Sequence, residues 1–192
     1  LKEILARTVG ALPKRTTVKP AYANERKLPT LPKAPQEKRY TFESRIPTGT
    51  AIITWRGPWL AAESIKEIRR MGILSSILSN RMREKIREEL GEAYSPYAGF
   101  QPSDVFENLG YMLAVSPGKP EQAKRVGKII IEIADKLARE GTTEDELQRA
   151  LAPKLSELKK TLRQNSYWLG TVMSQSQELT DLQAGIVFHE IV

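Results

Sequence analysis

Two side chains stand out by type and spacing: Arg87 and, seven residues on, Tyr94, both within the run LSNRMREKIREELGEAYSPY at 78–97. Leu78, Met82, Ile86 and Leu90 recur every fourth position, so one helical stripe faces a core while Arg83, Glu84, Arg87 and Glu88 point elsewhere. Gly91, just past the last apolar position, predicts a left-handed helix stop, after which Ala93, Tyr94 and Ser95 leave in extended form. Arg87 and Tyr94 therefore flank one corner. Spacing alone leaves two readings of them open. Arg87 could form a surface ion pair with Glu84, worth roughly 0.2–0.5 kcal/mol, and Tyr94 could be a half-buried strand aromatic with a wet hydroxyl. Alternatively, both present polar groups to a ligand at the corner.

The other chemistry-bearing residues exclude more than they suggest. The single histidine, His189, sits in HEIV at the end of the chain, and the second histidine of an H-E-x-x-H motif is not there. A zinc site needs three protein ligands, so this match is incomplete. There is no phosphate-binding glycine loop, no G-x-S-x-G, and no cysteine to act as nucleophile or thiolate ligand. Taken alone, the chain has no self-sufficient active site.

Length and charge narrow the class. The 192 residues, with 40% hydrophobic content and a mean hydropathy of −0.41, suit one soluble domain with a tail. No apolar run approaches the roughly 18 residues of a membrane span. The net charge of +7 is local: residues 1–40 hold ten Lys and Arg against three Glu, and the remainder balances. The body thus carries no net field to hold phosphates, and no nucleic-acid partner is expected. The chain starts at Leu1 with a helix-like LKEILARTVGAL already under way, as expected of a piece cut from a longer polypeptide. The absence of cysteine fits cytoplasm or periplasm equally.

The corner must be held by elements that the pattern also predicts. A short helical end at 1–12, with Ile4, Leu5, Val9 and Leu12 as a partial stripe, is closed by Pro13, and five prolines between Pro13 and Pro35 predict an extended linker. Alternation predicts strands at 38–46 and 50–56, turning at Pro47 and Gly49. A helix is expected from Ala61 to Leu90, with Ile65, Ile68, Leu74, Ile77 and Leu78 inward and room for a break at Gly72. A second strand pair, 93–101 and 107–116, turns at Pro102, Ser103 and Asp104, and Pro117 and Gly118 separate it from the next helix. That helix, about 120–140, has Val126, Ile129, Ile130, Ile133 and Leu137 on one face. The following one starts at a Thr143/Glu146 capping box and carries Leu147, Leu151, Leu155, Leu158 and Leu162, with a kink expected at Pro153. An amphipathic segment at 166–179 carries Tyr167, Trp168, Leu169, Val172 and Met173, with its aromatic residues expected in the core, and a last helix opens at 181–192. The order ββαββααα predicts an α+β fold, an antiparallel β-sheet with helices packed on one face.

The string REELGEAYSP, followed downstream by EGTTEDELQRA and NSYWLG, resembles the carboxy-terminal half of the insulinase/pitrilysin family of zinc peptidases. The likeness spans residues 1–192, is strongest at 78–96 and 141–147, and is nearest to the long bacterial members whose corner reads REELG-x-x-YSP. In that family two similar halves form a clamshell; the amino-terminal half carries H-x-x-E-H, and the carboxy-terminal half has lost it but faces the metal. The resemblance implies that residues 1–15 end a preceding domain, 16–37 are the join, and 38–192 are the carboxy-terminal peptidase-like domain.

It further implies roles for two residues. Arg87 matches an arginine whose fork donates to substrate backbone carbonyls, and Tyr94 a tyrosine whose phenol approaches the scissile carbonyl from the side opposite the metal. Arg87 and Tyr94 are then substrate-binding residues, and Tyr94 also stabilises the transition state. Peptide hydrolysis puts charge on the carbonyl oxygen, and losing one donor aimed at such a charge typically costs about 2.7–4 kcal/mol of barrier. The implied partners are a peptide substrate and the amino-terminal half of the same polypeptide. Zinc is expected in the full-length parent and no cofactor in this part of it. The implied setting is bacterial cytoplasm or periplasm, the latter favoured by the resemblance. A non-catalytic homologue acting as a structural or partner subunit is the competing expectation, and a basic module binding polyanions in a salt-dependent way is a third.

Overall fold

β-Branched and aromatic residues dominate GTAIITWRG, and this stretch forms strand β1 (Gly49–Gly57) of a three-stranded antiparallel sheet. The structure is a computed structural model and describes residues 2–13, 40, 43, 48–57, 65–91, 95–103 and 109–169. The chain divides into two units, Leu1–Leu31 and Pro32–Val192. In the first, helix α1 (Lys2–Arg7) is followed by a 3-10 turn at Val9–Ala11, with Ile4, Leu5 and Leu12 exposed.

In the second unit, β1 is followed by helix α2 (Ile65–Leu90), strands β2 (Tyr97–Pro102) and β3 (Gly110–Gly118), and helices α3 (Ala123–Glu140) and α4 (Glu144–Thr161). A helical turn, α5, covers Asn165–Tyr167. Strand order is β1-β3-β2, so β3 is central among the described strands. Register sets Trp55 opposite Met112 and Met112 opposite Phe100; one step along, Ile53, Ala114 and Ala98 form the next row. These inward rows meet α2, which packs on β2, and α3, which packs on β1 and β3. The alternate residues Ile52, Tyr97 and Tyr111 are exposed on the other face. The α+β fold with helices on one side of the sheet is therefore the architecture observed.

The core follows the sequence periodicity. Leu78, Met82 and Ile86 of α2 are at most 1% exposed, and Val126, Ile129, Ile130, Ile133 and Leu137 of α3 are all buried. Each such side chain contributes about 1.5–3 kcal/mol through lost water contact. Ile77 is also buried, whereas Ile68 and Leu74 are only half-buried.

Several boundaries differ from the sequence expectations. The expected strand at 38–46 lies outside the described residues except for Tyr40 and Glu43, which belong to no strand. Helix α2 runs unbroken through Gly72, where the sequence left room for a break. Strand β3 includes Pro117 and Gly118 instead of ending before them. The reason is positional: Pro117 pairs with Thr50 of β1, but β2 begins at Tyr97, opposite Val115, so on that side no described strand asks Pro117 for a donor. Trp168 is 41% exposed, packed edge-on against Tyr167 with ring centroids 5.5 Å apart, and is not a core residue.

Candidate functional site

The corner after α2 is built as its residue types require. Gly91 has φ of +64° and its N–H donates to the Arg87 carbonyl at 2.9 Å, closing the helix with a left-handed cap. Its missing Cβ matters only for the backbone, because a methyl group there would meet no atom within 4 Å. Tyr94 lies outside the described residues. The chain resumes at Ser95, which is exposed, and Pro96, which is buried, before β2 begins.

Arg87 is exposed in the last turn of α2 and, among the described residues, its guanidinium makes no hydrogen bond or ion pair. The competing pairing with Glu84 is not formed. Glu84 faces Arg149 of α4 instead, at 3.7 Å between two exposed side chains. One turn of helix thus sends its carboxylate toward a neighbouring helix and leaves the Arg87 guanidinium to solvent. A cation at that position complements the negative end of the helix dipole.

Three contacts that local sequence patterns do not show fix α2 and the strand leaving the corner. Ser79, buried within the apolar stripe, accepts the Ala98 N–H at 2.7 Å and donates to the Ser75 carbonyl at 2.8 Å, which pins β2 to α2. Its only sequence signal is a small hydroxyl among Met71, Leu78, Met82 and Ile86. At the last turn, Glu89 accepts from Lys85 at 3.1 Å and from Arg125 of α3 at 2.9 Å, and these two hydrogen bonds lower its pKa.

The strongest clamp is Arg81 with Glu146. Arg81 Nε and Nη2 donate to the two carboxylate oxygens at 2.6 and 2.9 Å, and Nη2 also donates to the Gly141 carbonyl at 2.9 Å. Glu146 is at the same time the N3 residue of the α4 capping box. It accepts the Thr143 N–H at 2.9 Å, while the Thr143 hydroxyl accepts the Glu146 N–H at 3.2 Å. The Arg81 hydrogen bonds first, then the Thr143 backbone donor, hold the Glu146 carboxyl at a pKa of about 2, and the carboxylate in turn raises that of Arg81. This bidentate pair, partly buried, locks α2 to the start of α4 less than two turns before Arg87.

No zinc site fits the residues described. Among them, no group of three or more His, Cys, Asp and Glu side chains could hold a metal ion, and His189 lies outside them. No helix among the described residues is long and apolar enough to cross a membrane.

Comparison with known proteins places these observations in a family. A search of curated proteins finds no sequence match. Among solved structures, the chain is similar to the periplasmic protease PqqL from Escherichia coli, with a TM-score of 0.53 and 18% identity. That match covers 73% of this chain and 17% of the protease, so the likeness is one of fold and this chain spans a small part of that protein's length. Residues 1–153 match the family described as the Peptidase M16 inactive domain, most of the chain's length, and the protein accordingly belongs to the M16 peptidase family through that domain.

Proposed function

We propose that this chain is the substrate-binding carboxy-terminal domain of a zinc metalloendopeptidase, with Arg87 and Tyr94 facing a peptide chamber completed by the amino-terminal half of the same polypeptide. Zinc is assigned to that other half and would supply Lewis-acid activation of the peptide bond there. The observation that carries the reading is the state of Arg87: exposed, without a described partner, on a helix end fixed by a glycine cap and by clamps to α3 and α4. A guanidinium held in this way can donate two parallel hydrogen bonds to backbone carbonyls with little loss of side-chain freedom beyond its own. Tyr94, three residues after the cap, supplies a neutral donor to the carbonyl oxygen as charge grows on it. We further assign the parent to the bacterial periplasm, the compartment named for the PqqL protease.

The test uses the full-length parent with a quenched peptide library, with and without a zinc chelator, for wild type, Tyr94→Phe and Arg87→Ala. Chelator-sensitive cleavage whose kcat falls about 10²–10³-fold in Tyr94→Phe supports the assignment of the phenol. For Arg87→Ala the expected loss is about 1.5–3 kcal/mol of substrate binding, a KM rise of roughly 10- to 150-fold. Unchanged kinetics in both variants refutes the chamber role, and absence of any cleavage by the wild-type parent assigns the domain to a scaffold instead.

A further inference from the structure

Helix α4 presents Leu147, Leu151, Leu155 and Leu158 on one stripe, yet each is only half-buried and Ala150 is the helix's single buried residue. With Leu74 and Ile77 of α2, this stripe lines an apolar groove of about 720 Å³. A groove of that size and character left to water is costly, so it calls for an apolar occupant.

The chain itself is directed toward it. After α4 the backbone reverses through Leu162–Gln164, with Arg163 N–H donating to Lys160 and Gln164 N–H to Thr161. Trp168 Nε1 then donates to the Leu162 carbonyl at 2.9 Å, tying residues 165–168 back against the end of α4, where Leu158 and Thr161 line the groove. Leu169, 63% exposed, is the last described residue of this approach. Beyond it the sequence reads GTVMSQSQEL, with Val172 and Met173 as its first large apolar residues. Three residues span at most about 10 Å, so the tether between Leu169 and the first of these anchors is short.

We propose that the groove between α2 and α4 is the docking site of the chain's own residues 170–179, with Val172 and Met173 as the anchoring side chains. The tether decides between this occupant and a second copy of the chain. A short linker gives an effective concentration in the millimolar range, well above that of free copies at micromolar protein. The consequence reaches the site: the segment buttresses α2 beside Leu74 and Ile77, and α2 carries Arg87.

The experiment exploits the absence of native cysteine in the 192 residues. In the full chain, Leu155→Cys is combined with Val172→Cys or, separately, Met173→Cys, and each is oxidised and read by mass and by size-exclusion chromatography. A disulfide within a monomer for at least one groove pair, absent from a Lys159→Cys/Val172→Cys control, is the expected result. Disulfide-linked dimers, or no difference from the control, overturn the proposal. Independently, amide exchange is compared between wild type and Val172→Asp/Met173→Asp, with α3 as internal reference. At least tenfold faster exchange at 147–158, with α3 protected, is expected; equal exchange in both proteins overturns it.

Discussion

Glu146→Gln tests whether the Arg81 clamp holds the site helix. The fall of the Glu146 pKa from 4.5 to about 2 corresponds, at 1.36 kcal/mol per pH unit, to an upper limit of about 3 kcal/mol of stability at neutral pH. The side chains of Arg81 and Glu146 keep 18% and 19% of their surface exposed, so solvent screening trims this value without reducing it to the 0.2–1 kcal/mol or so of a surface pair. Glutamine keeps an acceptor for the Thr143 N–H but turns an amide donor toward one Arg81 N–H. The expected loss is therefore about 1.5–3 kcal/mol, or roughly 3–12 °C in Tm for a domain of this size. The assay is urea unfolding of the 192-residue chain followed by circular dichroism between pH 2 and pH 7. Because the folded-state pKa is depressed, the contribution is fully present above about pH 5.5 and is lost as pH falls through 4.5 toward 2. The gap between wild type and variant should fall to under half by about pH 3 and nearly vanish at pH 2. Glu84→Gln, at an exposed 3.7 Å pair, should cost less than about 0.5 kcal/mol and serves as control. A gap below about 0.5 kcal/mol at pH 7, or one equally large at pH 2, refutes the argument.

Two further perturbations test the frame around the corner. Met82 is fully buried between helix and sheet, so Met82→Ala should cost about 2–5 kcal/mol in denaturant unfolding, and a loss under about 1 kcal/mol would show that the core closes around the vacancy. Gly91→Ala should cost about 1–2 kcal/mol from the left-handed backbone alone, and Gly91→Asn less, because asparagine tolerates that region; equal losses in thermal unfolding would contradict this ordering.

Residues close in sequence were the most readable parts of the molecule. The four-residue recurrence of Leu78, Met82 and Ile86 places them on one face whatever they meet, and the Thr143/Glu146 box closes between residues only three apart in the first turn of a helix. Gly91 likewise announces a positive φ by its place after an apolar stripe. Strand limits were less legible, because whether Pro117 can stand in a strand depends on which neighbour lies beside it.

Helix faces, the cap at the corner, the α+β class and a family-like string around Arg87 are all local in the chain and can be read there. Which charges meet is set by how the helices pack. Arg81 finds Glu146 across 65 residues, Glu89 finds Arg125 across 36, and Glu84 is drawn to Arg149 and away from Arg87. Helical spacing allowed Arg87 to pair with Glu84, but an ion pair at the surface is worth so little that helix packing selects the partner. The same holds for the α4 leucines. Their stripe is local information, but whether it is covered depends on the chain that follows, since burial is a property of the packed surfaces and not of the helix that presents them.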